Sequence, residues 1–408
     1  MAGKILMMLN APYPSDIRVK KESDALISAG YEVHLLCLRK KDEPYEAEVQ
    51  KLKITRIDAG KNNYVLAFWD VIMSINFVHP RFNSAAQKMI ERESIKLVHI
   101  HDLPLAGTAL SLKKKNRDIK IIVDLHENYP EALKTWFKWK RNPIVRLKNK
   151  LFLNPVRWTK YEKKACQEAD AIIAVVDEMK QRLVNLYQIT DEKITVVTNT
   201  EDKSFINQEL DKTVYQELEG RFVITYSGGI GPHRGVDTAI KGMGFLAHLP
   251  IHLAIVGFGS SSVMKSLNDL VSSLHLNNVH FYGYQPFYKF YSYMHLANAN
   301  VIPHQSNGHT DNTVPHKLFQ GMMAEKPLIV SSSAPLKRFV RNFDCGVVFK
   351  AGDEKDFADK VEMLFRNRPL QTQLAKNGYD ASMRGGLNWE TTQIELVNLY
   401  NKLAKKNG

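Results

Sequence analysis

Short apolar runs recur along this chain, each followed by a polar or glycine-rich loop and then a stretch of helical period. Lys4 to Leu9 leads through the proline-punctuated loop Asn10 to Asp16 into a helix over Ile17 to Ala29, closed at Gly30, and on to a second run at Glu32 to Leu38. Further runs lie at Lys96 to Ile100, Ile119 to Leu125, Asp170 to Val176 and Lys193 to Thr198. A second series opens at Phe222 to Ser227 and continues at His252 to Val256, Val279 to Tyr282, Ala299 to Pro303, Leu328 to Val330 and Gly346 to Phe349. Strand alternating with helix specifies an α/β fold with parallel sheets, because parallel neighbours need a crossover rather than a hairpin. At 408 residues the chain exceeds what one core usually serves. The polar, unpatterned Asn199 to Ser204 marks the division into two Rossmann-like domains, 1–200 and 205–386.

Ligands of such sheets bind at the carboxyl ends of strands, so the loops there carry the chemistry. In the second half, Asp311 to Val330 reads as loop, helix and strand, with Pro315 at the first helical position and Leu318, Phe319, Met322 and Met323 on a buried face. The N-terminus of that helix, with Lys317 in its first turn, suits a phosphate. The alternative is a helix with a solvated lysine. The loop Gly228 to Gly235 follows a strand and precedes a helix; its glycines permit close backbone approach, and Arg234 suits a phosphate, although tight turns also need glycine. In the first half no G-x-G-x-x-G follows the first strand, which argues against an NAD-binding half. Ser15 or Asp16 reads as a helix cap, and Arg18 as facing a ligand or solvent, solvent preferred. His99 and His101 share one face of a strand beside Asp102. No third ligand follows at a usual spacing, so no metal is expected. His126 ends a core strand, where it either contacts a ligand or makes an ordinary loop hydrogen bond.

The formal charge of +13 is concentrated: Lys134 to Lys164 holds eleven Lys or Arg and a single acid, Glu162, together with Trp136, Trp139 and Trp158. Cations mixed with tryptophan suit an anionic membrane surface, and Trp136, Trp139, Lys140, Arg141, Lys148 and Lys150 are the expected docking residues. A solvated helix pair and a nucleic-acid surface are the alternatives. No run of eighteen apolar residues exists, and the one near the N-terminus is too short for a secretory signal, so a cytoplasmic protein peripheral to the membrane is expected. Cys37, Cys166 and Cys345, odd in number and far apart, read as buried thiols.

Several stretches taken together resemble the GT-B glycosyltransferases of family 4 over nearly the whole chain: Ala11-Pro-Tyr-Pro-Ser-Asp-Ile-Arg-Val-Lys-Lys-Glu22, Val98-His-Ile-His-Asp102, Asp124-Leu-His-Glu-Asn-Tyr-Pro-Glu131, Tyr161-Glu-Lys-Lys-Ala165, Ser227-Gly-Gly-Ile-Gly-Pro-His-Arg-Gly235 and Pro315-His-Lys-Leu-Phe. The resemblance implies a last helix, within 388–408, that returns to the N-terminal domain. It implies a hexosyltransferase-type enzyme that moves a sugar from a nucleotide diphosphate sugar, with retention and with neither cofactor nor metal, to a glycan or lipid-linked acceptor. Its ligand would lie in a cleft between the halves. By that resemblance Gly228, Gly229, Arg234, Asn312, Thr313, Val314, Lys317 and Gln320 fall on the donor side, with Asp16, Arg18, His101 and His126 on the acceptor side. Arg234, Lys317 and His126 are the expected catalytic set. The chain departs from the family where two glutamates, eight positions apart, give way to Asn312 and Gln320, which hydrogen-bond but carry no charge. A second basic residue before Arg234 in some relatives falls on Gly228 and Gly229. A non-catalytic GT-B subunit, a nucleotide-sugar epimerase and a nucleic-acid-binding protein are the rival functions.

Overall fold

A computed structural model describes residues 3–14, 16–58, 63–137, 149 and 152–405. The chain divides into two compact units, one of residues 1–198 with 393–408 and one of residues 199–392. Both are α/β, each with one sheet flanked by helices.

The first unit holds β1 (Lys4–Pro12), β2 (Glu32–Arg39), β3 (Glu46–Val49), β4 (Leu52–Asp58), β5 (Leu97–His101), β6 (Lys120–Leu125), β7 (Ala171–Ala174) and β8 (Ile194–Val196). Their order is β3-β4-β2-β1-β5-β6-β7-β8. All neighbours run parallel except β3 and β4, an antiparallel edge hairpin absent from the sequence-based expectation. β1 runs three residues further than its apolar run, because after a register shift Pro12 still pairs with Leu38 of β2. The register sets Leu9 beside His101, and His101 beside Asp124. Polar side chains are thereby carried to one end of the central strands.

The second unit holds β9 (Phe222–Ser227), β10 (Ile251–Val256), β11 (Val279–Gly283), β12 (Ala299–Ile302), β13 (Leu328–Ser331) and β14 (Gly346–Phe349), in the order β11-β10-β9-β12-β13-β14, all parallel. Its core packs Ile224, Tyr226, Ile240, Leu253, Ile255, Val301, Ile329 and Phe357 between sheet and helices. β9 lies centrally, so the loop after it opens at the middle of the sheet edge. The helix expected to start at Pro315 starts one residue later, at His316–Met323. Pro315 is its cap residue in an extended conformation, φ −80° and ψ 145°. The three cysteines are buried and free. Among the described residues no helix is long and apolar enough to cross a membrane.

Candidate functional site

In the second unit the chain gathers positive charge at the carboxyl end of β9. The loop 228–235 starts with Gly228 at φ +121°, and a Cβ there would stand 3.1 Å from the Lys317 ammonium. It ends with Gly235 at φ +65°, where a Cβ would overlap the Pro303 carbonyl. Only glycine meets both demands, backbone conformation and space. Arg234 sits in a short 3-10 turn, and its Nη1 lies 3.2 Å from His304 Nε2. Lys317, in the first turn of the His316–Met323 helix, rests its ammonium on the face of Tyr226 at 3.7 Å. That ammonium is buried and has no hydrogen-bond partner among the described residues. Burial, and then the charge of Arg234, hold its pKa well below that of an ordinary lysine. The same causes hold His304 well below its usual value and bring His233 to about 3. The His233 and His309 rings meet at 5.0 Å, which ties the glycine loop to the loop before the helix.

The remaining donor-side residues take other places. Tyr226 donates to the Gly229 carbonyl at 2.6 Å, which fixes that turn. Asn312 donates to the Gly308 carbonyl at 2.8 Å, and the Val314 side chain is buried. Thr313 is extended, linking the 3-10 turn Thr310–Asn312 to the helix cap. Gln320, buried one turn beyond Lys317, gives its amide to Glu201 Oε2 at 2.6 Å. A carboxylate from far earlier in the chain thus stands beside the amide.

The first unit builds a different constellation. Asp16 caps the Ile17–Ser28 helix, accepting from the amides of Arg18 and Val19. Arg18 is 4% exposed, which corrects the preferred expectation of a solvent-facing side chain. Its Nε and Nη2 grip both oxygens of Asp124 at 2.9 and 3.0 Å, Nη2 also reaches Glu22 at 2.8 Å, and Nη1 donates to the Val197 carbonyl. A guanidinium with two buried carboxylates one helical turn and one strand away is drawn inward, since its fork matches carboxylate geometry. His126 donates through Nε2 to Asp124 at 2.9 Å. Its Nδ1 faces Asp102 at 3.4 Å and Asp16 at 3.8 Å. His101 stacks on His99 at 4.2 Å and lies 3.4 Å from His126. His99 meets the Tyr400 hydroxyl at 2.6 Å.

Burial would lower the His126 pKa, but Asp102 and Asp124 outweigh it and raise the group to about 10. His101, buried and beside His99, is brought down to about 3. Burial pushes Glu22 up to about 8, and it works against Asp124 as well, but Arg18 and His126 keep Asp124 well below its usual range. With both ring nitrogens turned to carboxylates, the protonated form of His126 is favoured, even though burial pushes Asp102 itself up to about 7. Glu22, His99, His101 and Asp124 place potential ligand atoms within 4.8 Å of one another. Both carboxylates are already gripped by Arg18, whose charge opposes a divalent cation at the same point.

Of the expected docking residues, Trp136 is 38% exposed and packs edge-on against Tyr129. Trp139, Lys140, Arg141, Lys148 and Lys150 lie outside the described residues. Glu22, Asp124, His304, His309 and Tyr226 were not singled out from sequence. The signal available was Arg18 and Glu22, two charges four residues apart on the buried face of the first helix.

Two parallel-sheet units flanked by helices are the architecture of the GT-B glycosyltransferases, and the family comparisons agree. Residues 17–204 match the model of Glycosyltransferase Family 4, and residues 207–381 match Glycosyl transferases group 1. The chain belongs to the family-4-like GT-B glycosyltransferases. Over 318 residues, 78% of each chain, it is 23% identical to an uncharacterized glycosyltransferase of Methanocaldococcus jannaschii. It is 24% identical to the capsular polysaccharide biosynthesis glycosyltransferase CapM of Staphylococcus aureus over 60% of this chain and 65% of that one. In fold it resembles sucrose-phosphate synthase from Thermosynechococcus elongatus, with TM-score 0.80, 15% identity and coverage of 99% and 100%. It also resembles Anabaena HepE in complex with UDP-glucose, with TM-score 0.72, 11% identity and coverage of 98% and 100%.

Proposed function

We propose that the protein is a retaining, hexosyltransferase-type enzyme that transfers a sugar from a nucleotide diphosphate sugar to a glycan or lipid-linked acceptor, in the synthesis of a cell-surface polysaccharide or glycolipid. The observation that carries this reading is the Lys317 ammonium, buried beside Arg234 with no hydrogen-bond partner among the described residues. A buried cation without a counter-charge costs several kcal/mol, and a diphosphate meets that need. As the glycosidic bond breaks, the leaving diphosphate gathers charge. Arg234, Lys317 and the helix N-terminus then stabilise the transition state more than the ground state. Arg234, together with Lys317 protonated as the diphosphate binds, supplies the compensating charge, and no metal has a part in the proposal. HepE, of the same fold, was crystallised with UDP-glucose, and CapM is named for capsular polysaccharide synthesis; both support this choice of donor and product.

On the acceptor side, His126 offers an imidazolium N–H toward sugar or acceptor oxygens, oriented by Asp124 and Asp102. Arg18 and His101 act through it as positioning residues. The basic, tryptophan-bearing segment from Lys134 to Lys164 supports a cytoplasmic enzyme peripheral to an anionic bilayer, where a lipid-linked acceptor resides.

A panel of nucleotide sugars, assayed for binding, for hydrolysis and for transfer, tests the proposal. One donor should be bound and consumed, and Arg234→Ala should abolish its consumption. A donor that binds but is never consumed with any acceptor favours the second reading, a non-catalytic GT-B subunit, which rests on the neutral amides Asn312 and Gln320.

A further inference from the structure

The helix Asn63–Asn76, with sequence NYVLAFWDVIMSIN, is apolar for nearly its whole length. Its inward side is marked by Met73 and Ser74, which are 3% and 0% exposed. Phe68 and Ile75 are 55% and 57% exposed. At 100° per residue these two project within about 20° of each other, on the side opposite Met73 and Ser74. Ile72 and Val65, half-buried, fall on the same stripe. The helix therefore shows apolar side chains to solvent as well as to the core, whereas an ordinary surface helix turns its apolar stripe to the core and its polar face to water.

The stripe continues onto a neighbouring element. Arg157 of the helix Pro155–Glu168 donates to the Ile75 carbonyl and lays its guanidinium over Phe77 at 4.7 Å. Next to it Val156 is 65% exposed. Phe77 packs on Trp158 at 5.1 Å, Trp158 on Tyr129 at 4.8 Å, and Tyr129 on the part-exposed Trp136 at 5.6 Å. Two cations border this helix: Arg157 beside Ile75, and Arg81, whose guanidinium covers Trp69 at 4.6 Å. The sequence from Lys134 to Lys164, which includes Trp136 and Val156, carries ten more cations besides Arg157 and one carboxylate.

We propose that Phe68, Ile75 and Val156 form an insertion surface that enters the acyl boundary of an anionic lipid bilayer. The flanking Arg81 and Arg157 would pair with lipid phosphates. The charge selects the occupant. A second copy of this chain would bring its own dense positive charge, and another protein would need a matching acidic face, whereas an anionic bilayer supplies apolar depth and negative headgroups together. The inference deepens the reading of a membrane-bound acceptor and does not depend on which sugar is transferred.

Co-sedimentation with vesicles of phosphatidylcholine containing about one-third phosphatidylglycerol tests it, using the full chain. The wild-type protein should bind these vesicles, and binding should weaken in high salt. The double variant Phe68→Ser, Ile75→Ser should bind roughly ten- to a hundredfold less, as expected for two large apolar side chains withdrawn from the membrane. Both side chains are solvent-exposed, so unfolding is not expected, and an unchanged melting temperature checks this. As a second readout, the Phe68→Trp variant should give fluorescence that shifts to the blue on vesicle addition and is quenched by brominated acyl chains. Undiminished binding by the double variant, or an indole in the Phe68→Trp variant that escapes quenching while the protein is vesicle-bound, overturns the proposal. Nucleotide-sugar binding, measured without vesicles, should be the same in all variants. Loss of donor binding in the wild type would sink the transferase reading and leave this one standing.

Discussion

Replacing Lys317 by methionine should move stability and function in opposite directions. The two side chains have nearly the same length and bulk, so contact with Tyr226 and the space beside Gly228 are preserved. What disappears is an ammonium that has no hydrogen-bond partner among the described residues and that shares its surroundings with Arg234. Relief of an unpaired buried polar group is worth about 1–3 kcal/mol. In a unit of this size that should raise the melting temperature of the ligand-free protein by roughly 2–10 °C. The same change removes one of the cations aimed at the leaving diphosphate, and kcat/KM should fall by about 10²–10³. The pH dependence supplies a sign. Because the folded pKa of Lys317 is depressed, the unfolded chain holds more protons between that value and 10.5, and ligand-free stability rises with pH across this window. The advantage of methionine should therefore be greatest below the depressed pKa and fade toward pH 10.5. Calorimetry or thermal melts from pH 6 to 10, with donor titrations alongside, decide the matter. A methionine variant that melts lower than wild type at every pH and binds nucleotide sugars as well as wild type would refute the assignment of Lys317 as an anion-binding cation held at a cost to stability.

Three more outcomes follow from the first unit. Arg18→Ala leaves Asp124 and Glu22 buried without their counter-ion and should destabilise the protein by about 3–5 kcal/mol, read from chemical denaturation. His126→Gln keeps a hydrogen-bond donor but loses the charge. A folded pKa raised to about 10 contributes stability that is complete below about pH 6.5 and is lost as pH rises through 10, so the wild-type advantage should shrink over that range in pH-dependent melts. Tyr400→Phe removes the hydroxyl that meets His99 at 2.6 Å, and with both groups buried the cost should be about 1–3 kcal/mol by denaturant titration.

Glu201 bears on the amides that depart from the family pattern. Position 320 carries no charge of its own, yet Glu201 accepts its amide at 2.6 Å, so a carboxylate is present there through a contact 119 residues long. A reading confined to the local motif sees a lost glutamate. The folded chain shows one contributed from elsewhere.

The fold class was legible because strand and helix periods are local: buried parallel strands read as apolar runs, and the crossovers between them as helices. Loops at strand ends are local too, so Gly228, Arg234 and Lys317 drew notice from their neighbours in sequence alone. The edge hairpin of β3 and β4 carried no such run, since Glu46–Val49 is largely exposed and acidic. Only the tertiary structure decided the charge states. Arg18 and Asp124 are 106 residues apart, and neither position reveals that the other neutralises it. The charged form of His126 is favoured because aspartates from separate segments converge on one ring. The charged form of Lys317 is disfavoured because the fold seals it against Tyr226 with no hydrogen-bond partner among the described residues. Secondary structure follows from spacing along the chain, whereas a titration state follows from burial and from partners that only folding brings within a few ångströms.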